Sequence, residues 1–237
     1  FCFLDSVKFT DLSTKVVGDT IISWNWQFGN GTVDSISSPT YQFNTVKSYR
    51  VSLETITDKG CNDTISELIT IEPLPIADFR LSNLTSCSKS PVFYFDSSRI
   101  SNGSISSFQW NFGDQLSNQN TAVTQNPSHN YDTLGNYLVS LITLSDKGCT
   151  DTTNKIININ PAPNINFSST GSCLSDSIKF TDMTILPLGT ILDYRWVIGD
   201  GSNRQIKVEK DPTVKFTVAQ DIPIAYRVRT IAGCSAI

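Results

Sequence analysis

The sequence holds one histidine, one methionine and no run of lysine or arginine. A nucleic-acid or anionic-membrane partner needs a concentrated basic face. With a net charge of −4 and a pI near 4.9, the chain offers none. A His-based zinc site is excluded, because His129 stands alone and the cysteines are dispersed. No glycine-rich phosphate loop with a following lysine occurs. No stretch approaches the roughly 18–20 apolar residues of a direct membrane span. The first residues, Phe1-Cys2-Phe3-Leu4-Asp5, lack the basic region and apolar core of a signal peptide. They also begin in mid-pattern, so the chain is expected to be a piece of something larger. Charged residues make up 17% of the chain, below the ~25% typical of globular domains. Serine, threonine and asparagine fill the polar positions instead.

What the chain does have is internal repetition. Trp24-Asn25-Trp26-Gln27-Phe28-Gly29-Asn30-Gly31 aligns with Phe108-Gln109-Trp110-Asn111-Phe112-Gly113-Asp114. Tyr194-Arg195-Trp196-Val197-Ile198-Gly199-Asp200-Gly201 gives the third copy, and the three tryptophans are 84 and 86 residues apart. Val7 to Asp11 matches Val92 to Asp96 and Ile178 to Asp182. Tyr49-Arg50-Val51 is aligned with Tyr137-Leu138-Val139 and Tyr226-Arg227-Val228. Cys2, Cys87 and Cys173 form one series, and Cys61, Cys149 and Cys234 another. No two cysteines lie closer than 24 residues, so they read as disulfides rather than metal ligands, and imply an oxidising compartment.

Each copy alternates apolar and polar residues at period two, the pattern of half-buried strands. Gly29-Asn30-Gly31, Asp58-Lys59-Gly60, Asp146-Lys147-Gly148 and Asp200-Gly201 supply turns between them. No segment carries a helical apolar pattern. The expected fold is all-β: three tandem immunoglobulin-like β-sandwiches in an elongated end-to-end array. Trp26, Trp110 and Trp196 are expected in the cores. Boundaries fall at Glu72-Pro73-Leu74-Pro75 and Asn160-Pro161-Ala162-Pro163, stiff links that lack amide donors. The repeats are thus 1–74 (opening strand missing), 75–161 (complete) and 162–237 (closing strand missing).

These residues resemble the PKD (polycystic kidney disease) repeat, whose hallmark is a Trp-Asp-Phe-Gly-Asp-Gly stretch. The family's Pro-x-His-x-Tyr and Gly-x-Tyr-x-Val segments have counterparts in Pro127-Ser128-His129-Asn130-Tyr131 and Gly135-Asn136-Tyr137-Leu138-Val139. The third copy departs from the hallmark at Val197-Ile198. A late Gly-Cys in each copy is similar to repeats in giant cell-surface and gliding-motility adhesins of Bacteroidota, exported by type IX secretion. The resemblance implies a non-enzymatic, extracellular, cell-surface role as a disulfide-reinforced adhesin stalk. The alternative it implies is a polysaccharide- or protein-binding accessory module of a secreted enzyme. Expected partners are neighbouring repeats of the same chain and a surface polysaccharide or protein.

Some modules of this family bind calcium, which needs clustered oxygens. Candidates are Asp11, Asp96, Asp114, Asp182 and Asp200, and turn capping accounts for the same aspartates. No other cofactor is expected. His129 falls on the family pattern, which favours a structural role. An Asp-Ser/Thr-apolar or Thr motif resembles the O-glycosylation acceptor of Bacteroidota. It recurs at Ser6, Thr20, Ser35, Thr64, Thr133, Thr152 and Ser177, where aspartate capping a turn before a strand is the competing explanation.

The cysteines allow two pairings. Within-copy bonds would be Cys2–Cys61, Cys87–Cys149 and Cys173–Cys234. If the strands follow the immunoglobulin-like order, each such pair sits at opposite ends of a sandwich. A seven-residue strand spans roughly 23 Å, whereas bridged Cα atoms lie within about 7 Å. Cross-repeat bonds Cys2–Cys149 and Cys87–Cys234 avoid this and leave Cys61 and Cys173 to partners outside the chain. Strand length leans toward the second pairing, and both stay open.

Overall fold

The computed structural model describes residues 1–82, 86–171, 177–199, 204–216 and 221–237. Among these residues there are strands, turns and bends but no helix. The first repeat carries β1 (Ser6–Lys8), β2 (Ile21–Gln27), β3 (Val33–Asp34), β4 (Thr40–Gln42), β5 (Ser48–Thr57) and β6 (Asn62–Thr70). The second carries β7 (Phe79–Leu81), β8 (Ser86–Cys87), β9 (Pro91–Asp96), β10 (Ile105–Asn111), β11 (Thr121–Ala122), β12 (Ser128–Asn130), β13 (Gly135–Ser145) and β14 (Thr150–Asn160). The third carries β15 (Phe167–Thr170), β16 (Ser177–Asp182), β17 (Ile191–Ile198), β18 (Gln205–Lys207), β19 (Thr213–Lys215), β20 (Ile224–Thr230) and β21 (Ser235–Ala236).

Each repeat places its strands in two sheets. The larger sheets run β3-β2-β5-β6, β11-β10-β13-β14-β8 and β18-β17-β20-β21. The smaller ones run β1-β4, β12-β9-β7 and β15-β16-β19. β1 therefore has a strand on one side only, whereas β9 and β16 have one on both.

Packing divides the chain into two compact units. One gathers Phe1–Asp78, Ser97–Gln109 and Leu141–Thr153, and the other gathers Phe79–Asp96, Trp110–Ser140 and Asn154–Ile237. In the first unit, Val7, Trp26, Phe28, Phe43, Tyr49, Val51 and Leu53 form a buried core. In the second, Phe180, Trp196, Ile198, Val214, Tyr226 and Val228 form another. The period-two alternation explains these sets. In β5, Tyr49, Val51 and Leu53 face inward while Ser48 and Arg50 face solvent. Trp110 is fully buried against Phe79 and Tyr94, with ring centroids 5.1 and 5.5 Å away.

Strand pairing corrects one landmark of the sequence alignment. Trp26 lies opposite Leu53, and Trp196 lies opposite Tyr226. Tyr226 thus takes the place of Leu53, four residues along from that of Tyr49. Its ring stacks on Trp196 with centroids 3.8 Å apart. Tyr49 and Tyr137 instead hydrogen-bond through their hydroxyls to the carbonyls of Thr45 and Thr133, four residues back. Such a bond pins the chain entering the strand.

The core tyrosines carry a pH dependence. Burial pushes the Tyr94 phenol up to about 12, although the Tyr131 hydroxyl 2.7 Å away acts the other way. Burial raises Tyr131 and Tyr226 further, with nearby carboxylates adding to the shift. A raised phenol value means that the folded state favours the neutral form. The stability is fully present below the unfolded value of about 10 and is lost as pH rises beyond it. A phenolate absorbance titration should therefore show these three tyrosines ionising only with unfolding above pH 10. Reversible titration of all seven tyrosines near 10 in the folded protein would contradict this.

Candidate functional site

The cysteine-bearing turns are built identically in all three repeats. In Thr57-Asp58-Lys59-Gly60-Cys61, the Gly60 amide donates to the Thr57 carbonyl and the Thr57 amide to the Cys61 carbonyl. The same two bonds recur at Ser145 to Cys149 and at Thr230 to Cys234. Gly60, Gly148 and Gly233 have φ of 80°, 83° and 85°, the left-handed conformation such a hairpin demands. A hydroxyl four residues before each cysteine accepts its amide: Thr57 at 3.2 Å, Ser145 at 3.0 Å and Thr230 at 3.1 Å. The turn is also tied to the start of the tryptophan strand. Asp58 and Asp146 accept the amides of Thr20 and Ser104, and return their own amides to those residues' carbonyls. In the third repeat Ile231 keeps only its amide bond, to Thr190.

In the other series, Cys2 and Cys87 each sit beside the end of their own repeat. Cys2 bridges Glu72 in parallel, and Phe3 donates its amide to the Glu72 carbonyl at 2.8 Å. Likewise β8 pairs in parallel with β14, Cys87 facing Asn160, and Ser88 donates to the Asn160 carbonyl at 2.8 Å. The first two repeats thus bring their early cysteines to their exits, next to the proline links.

There the disulfides form. Cys2 is bonded to Cys149, with Cα atoms 5.6 Å apart, and Cys87 to Cys234, with Cα atoms 5.7 Å apart. These are the cross-repeat pairs, so within-copy bonds from Cys2 to Cys61 and from Cys87 to Cys149 do not form. Each bond joins the exit of one repeat to the hairpin turn of the next. Cys149 and Cys234 are buried, whereas Cys61, on a turn of the same construction, is an exposed free thiol. Cys173 lies outside the described residues.

Hydrogen bonds also fix the chain beside each proline link. Past the first proline link, the Ala77 amide donates to Asp151 Oδ2 at 2.8 Å, and Ile76 exchanges amide bonds with Arg99. Within the second, the Ala162 amide donates to Ser88 Oγ, and beyond it Asn164 exchanges amide bonds with Ile185. The hydroxyls of Thr57, Ser145 and Thr230 and the carboxylate of Asp151 were not singled out from sequence. The repeated Ser/Thr-x-x-Gly-Cys spacing is the signal that carries the first three.

The other candidate residues are dispersed. Asp11 accepts from Trp24 Nε1 at 2.7 Å and from the Ser13 amide. Desolvation raises its carboxyl, but these bonds outweigh it and hold the value below the ordinary one. Asp182 is lowered in the same way, its bonds from Thr184 and Tyr226 outweighing burial. Asp96 accepts from Gln125 Nε2, and Asp114 lies 3.1 Å from His129 Nε2. Asp200 lies outside the described residues. Calcium takes six to eight oxygens, and no group of three metal-ligating side chains gathers among the described residues.

His129 lies within β12 and stacks on Phe112, with centroids 4.5 Å apart and planes 8° apart. Tyr41 stands at the same position of the first repeat and stacks on Phe28 at 4.1 Å and 7°. The position is a packing site whose occupant varies. Ser6, Thr20, Ser35, Thr64, Thr133, Thr152 and Ser177 are all exposed.

Sandwiches without a helix among the described residues, with a tryptophan between the sheets and stapled by disulfides, define a tandem array of extracellular-type β-sandwich modules. The model of the PKD domain family matches residues 4–71 and 73–160, and the chain belongs to that family. It is similar to the solved PKD1 domain of Vibrio anguillarum Epp, with 30% identity, 36% of this chain and 93% of that one covered, and a TM-score of 0.32. For the PKD1 domain of the Vibrio cholerae metalloprotease PrtV the values are 31%, 36%, 96% and 0.31. For three N-terminal domains of the bacteriophage RB49 Hoc protein they are 11%, 96%, 87% and 0.39.

Proposed function

We propose that the chain is a load-bearing stalk segment of a large bacterial surface adhesin. On this reading it lies outside the cell, in a protein of the kind that Bacteroidota export by type IX secretion for gliding motility. It is not an enzyme, and its first partners are its own neighbouring repeats, in the order 1–74, 75–161 and 162–237. The observation that carries the reading is the pair of overlapping disulfides, each closing a separation of 147 residues and each joining successive repeats. A module that only presents a binding face has no need of covalent bonds to its neighbours, whereas a segment under tension does. Glycans on the seven exposed hydroxyls belong to the same reading.

Cells producing the parent protein with Cys87→Ser and Cys234→Ser test it. Adhesion under shear should fall several-fold while adhesion at rest is unchanged, and the segment recovered from wild-type cells should exceed the 26.1 kDa of its residues. Loss of ligand binding at rest would favour the accessory binding module instead. A bare mass would remove the glycans.

A further inference from the structure

The central strand of the second repeat's smaller sheet carries an apolar stripe on its outer face. In β9, Val92 and Tyr94 are buried in the core, so Pro91, Phe93 and Phe95 point the other way. Pro91 is exposed, Phe93 is 47% exposed and Phe95 is half-buried. β7 and β12 flank β9 on its two sides, so the stripe stays open with its sheet in place.

The fold does not ask for these residues. At the same three positions the first repeat has Ser6, Lys8 and Thr10, and the third has Ser177, Lys179 and Thr181. The residues between them are apolar in every repeat: Val7 and Phe9, Val92 and Tyr94, Ile178 and Phe180. Core packing thus holds one face of the strand constant. The other face turns from serine, lysine and threonine to proline and two phenylalanines in the second repeat alone. Exposed apolar side chains gathered in a patch mark a surface that meets something.

Polar groups border the stripe on both sides. Arg80 of β7 lies opposite Phe95, its guanidinium carbon 5.1 Å from the ring centroid. The Ser82 amide donates to the Phe93 carbonyl, which places Ser82 beside that ring. On β12, Ser128 lies opposite Phe93 and Asn130 opposite Pro91. All four bordering residues are exposed. The phenylalanines stand two residues apart on one strand, roughly 7 Å along it. So short a stripe falls far below the roughly 800 Å² that each partner buries in a stable protein interface. Its proportions suit a sugar chain. Aromatic rings lie under the apolar faces of pyranose rings, and hydroxyl, amide and guanidinium groups at the edges meet the sugar hydroxyls.

We propose that the outer face of β9 binds one chain of a β-linked polysaccharide. Its pyranose rings stack on Phe93 and Phe95, and its hydroxyls bond to Arg80, Ser82 and Ser128. The straight strand selects a straight chain, and the site belongs to the second repeat, not to the family fold. The inference does not rest on the stalk reading, and its test needs no force and no cell.

Cellohexaose and a β-1,4-linked hexamannuronate, one neutral and one acidic, are titrated separately into the intact oxidised protein by NMR. Saturable binding of at least one is expected, with amide shifts confined to β7, β9 and β12. The tighter of the two tells whether Arg80 meets a hydroxyl or a carboxylate. A double variant, Phe93→Lys with Phe95→Thr, gives the second repeat the residues that the other two fold with. It should keep its circular dichroism and bind at least tenfold more weakly. Arg80→Ser, which copies Ser168 of the third repeat, should weaken binding several-fold. Binding of neither sugar, shifts centred on another face, or equal binding by the double variant would overturn the proposal. Self-association lost in the double variant, without any response to sugar, would mark a protein contact and overturn it too. Each of these failures leaves the stalk reading standing, because that reading is decided by adhesion under shear.

Discussion

Pulled from its ends with both disulfides intact, the protein is expected to reach a span of roughly 200 Å between Cys2 and Cys234, and of roughly 800 Å after reduction. The bonds overlap, so the shortest covalent route runs from Cys2 to Cys149, back along the chain to Cys87, and across to Cys234. Only the roughly 60 residues between Cys87 and Cys149 can then pay out, at up to 3.6 Å each. The second repeat is loaded in reverse, from its late cysteine toward its early one. Breaking either bond alone lengthens the route to roughly 85 residues, or roughly 290 Å, because both bonds close the same 147-residue separation. Cys2→Ser and Cys87→Ser should therefore give indistinguishable extensions. Full extension under oxidising conditions, or unequal single variants, would show that the bonds do not carry the load in this way.

Gly113→Ala is expected to destabilise the second repeat by about 3 kcal/mol or more, while Gly60→Ala costs about 1 kcal/mol. Both glycines have a left-handed backbone, with φ of 72° and 80°. A Cβ on Gly113 would lie 2.5 Å from the Leu138 carbonyl oxygen, which is backbone and cannot swing aside. At Gly60 it would meet nothing within 4 Å. Gly29 repeats the constraint in the first repeat, 2.6 Å from the Arg50 carbonyl. The glycine after the core aromatic is thus required twice over, by φ and by the approach of the neighbouring strand. Urea unfolding of the two variants checks the difference, and equal midpoints would refute the steric part.

Much of this was legible in the sequence because the strongest landmarks are steric. Tryptophan fills the space between the sheets at residues 26, 110 and 196, and the left-handed hairpin position before each late cysteine favours glycine. The misplaced landmark, Tyr226, was hidden by the period of a strand. A shift of four residues is even, so Tyr226 still faces inward and the alternation looks intact. The spacing to the late cysteine, 12 residues from Tyr49 and Tyr137 but 8 from Tyr226, carried the signal, and the pairing with Trp196 shows the shift. The bonds beside the links were harder still. The Ala77 amide and the Asp151 carboxylate are 74 residues apart within the second repeat, and no local pattern links the start of a repeat to its late hairpin. Between the two cysteine pairings strand length only leaned toward the cross-repeat one, and the exit position of Cys2 and Cys87 decides between them in the structure.

Unreduced proteolysis followed by mass spectrometry bears most directly on the claim that the repeats are covalently stapled to one another. The expected products are one peptide pair joining Cys2 to Cys149 and another joining Cys87 to Cys234. A pair joining Cys87 to Cys149, or Cys2 to Cys61, would contradict it.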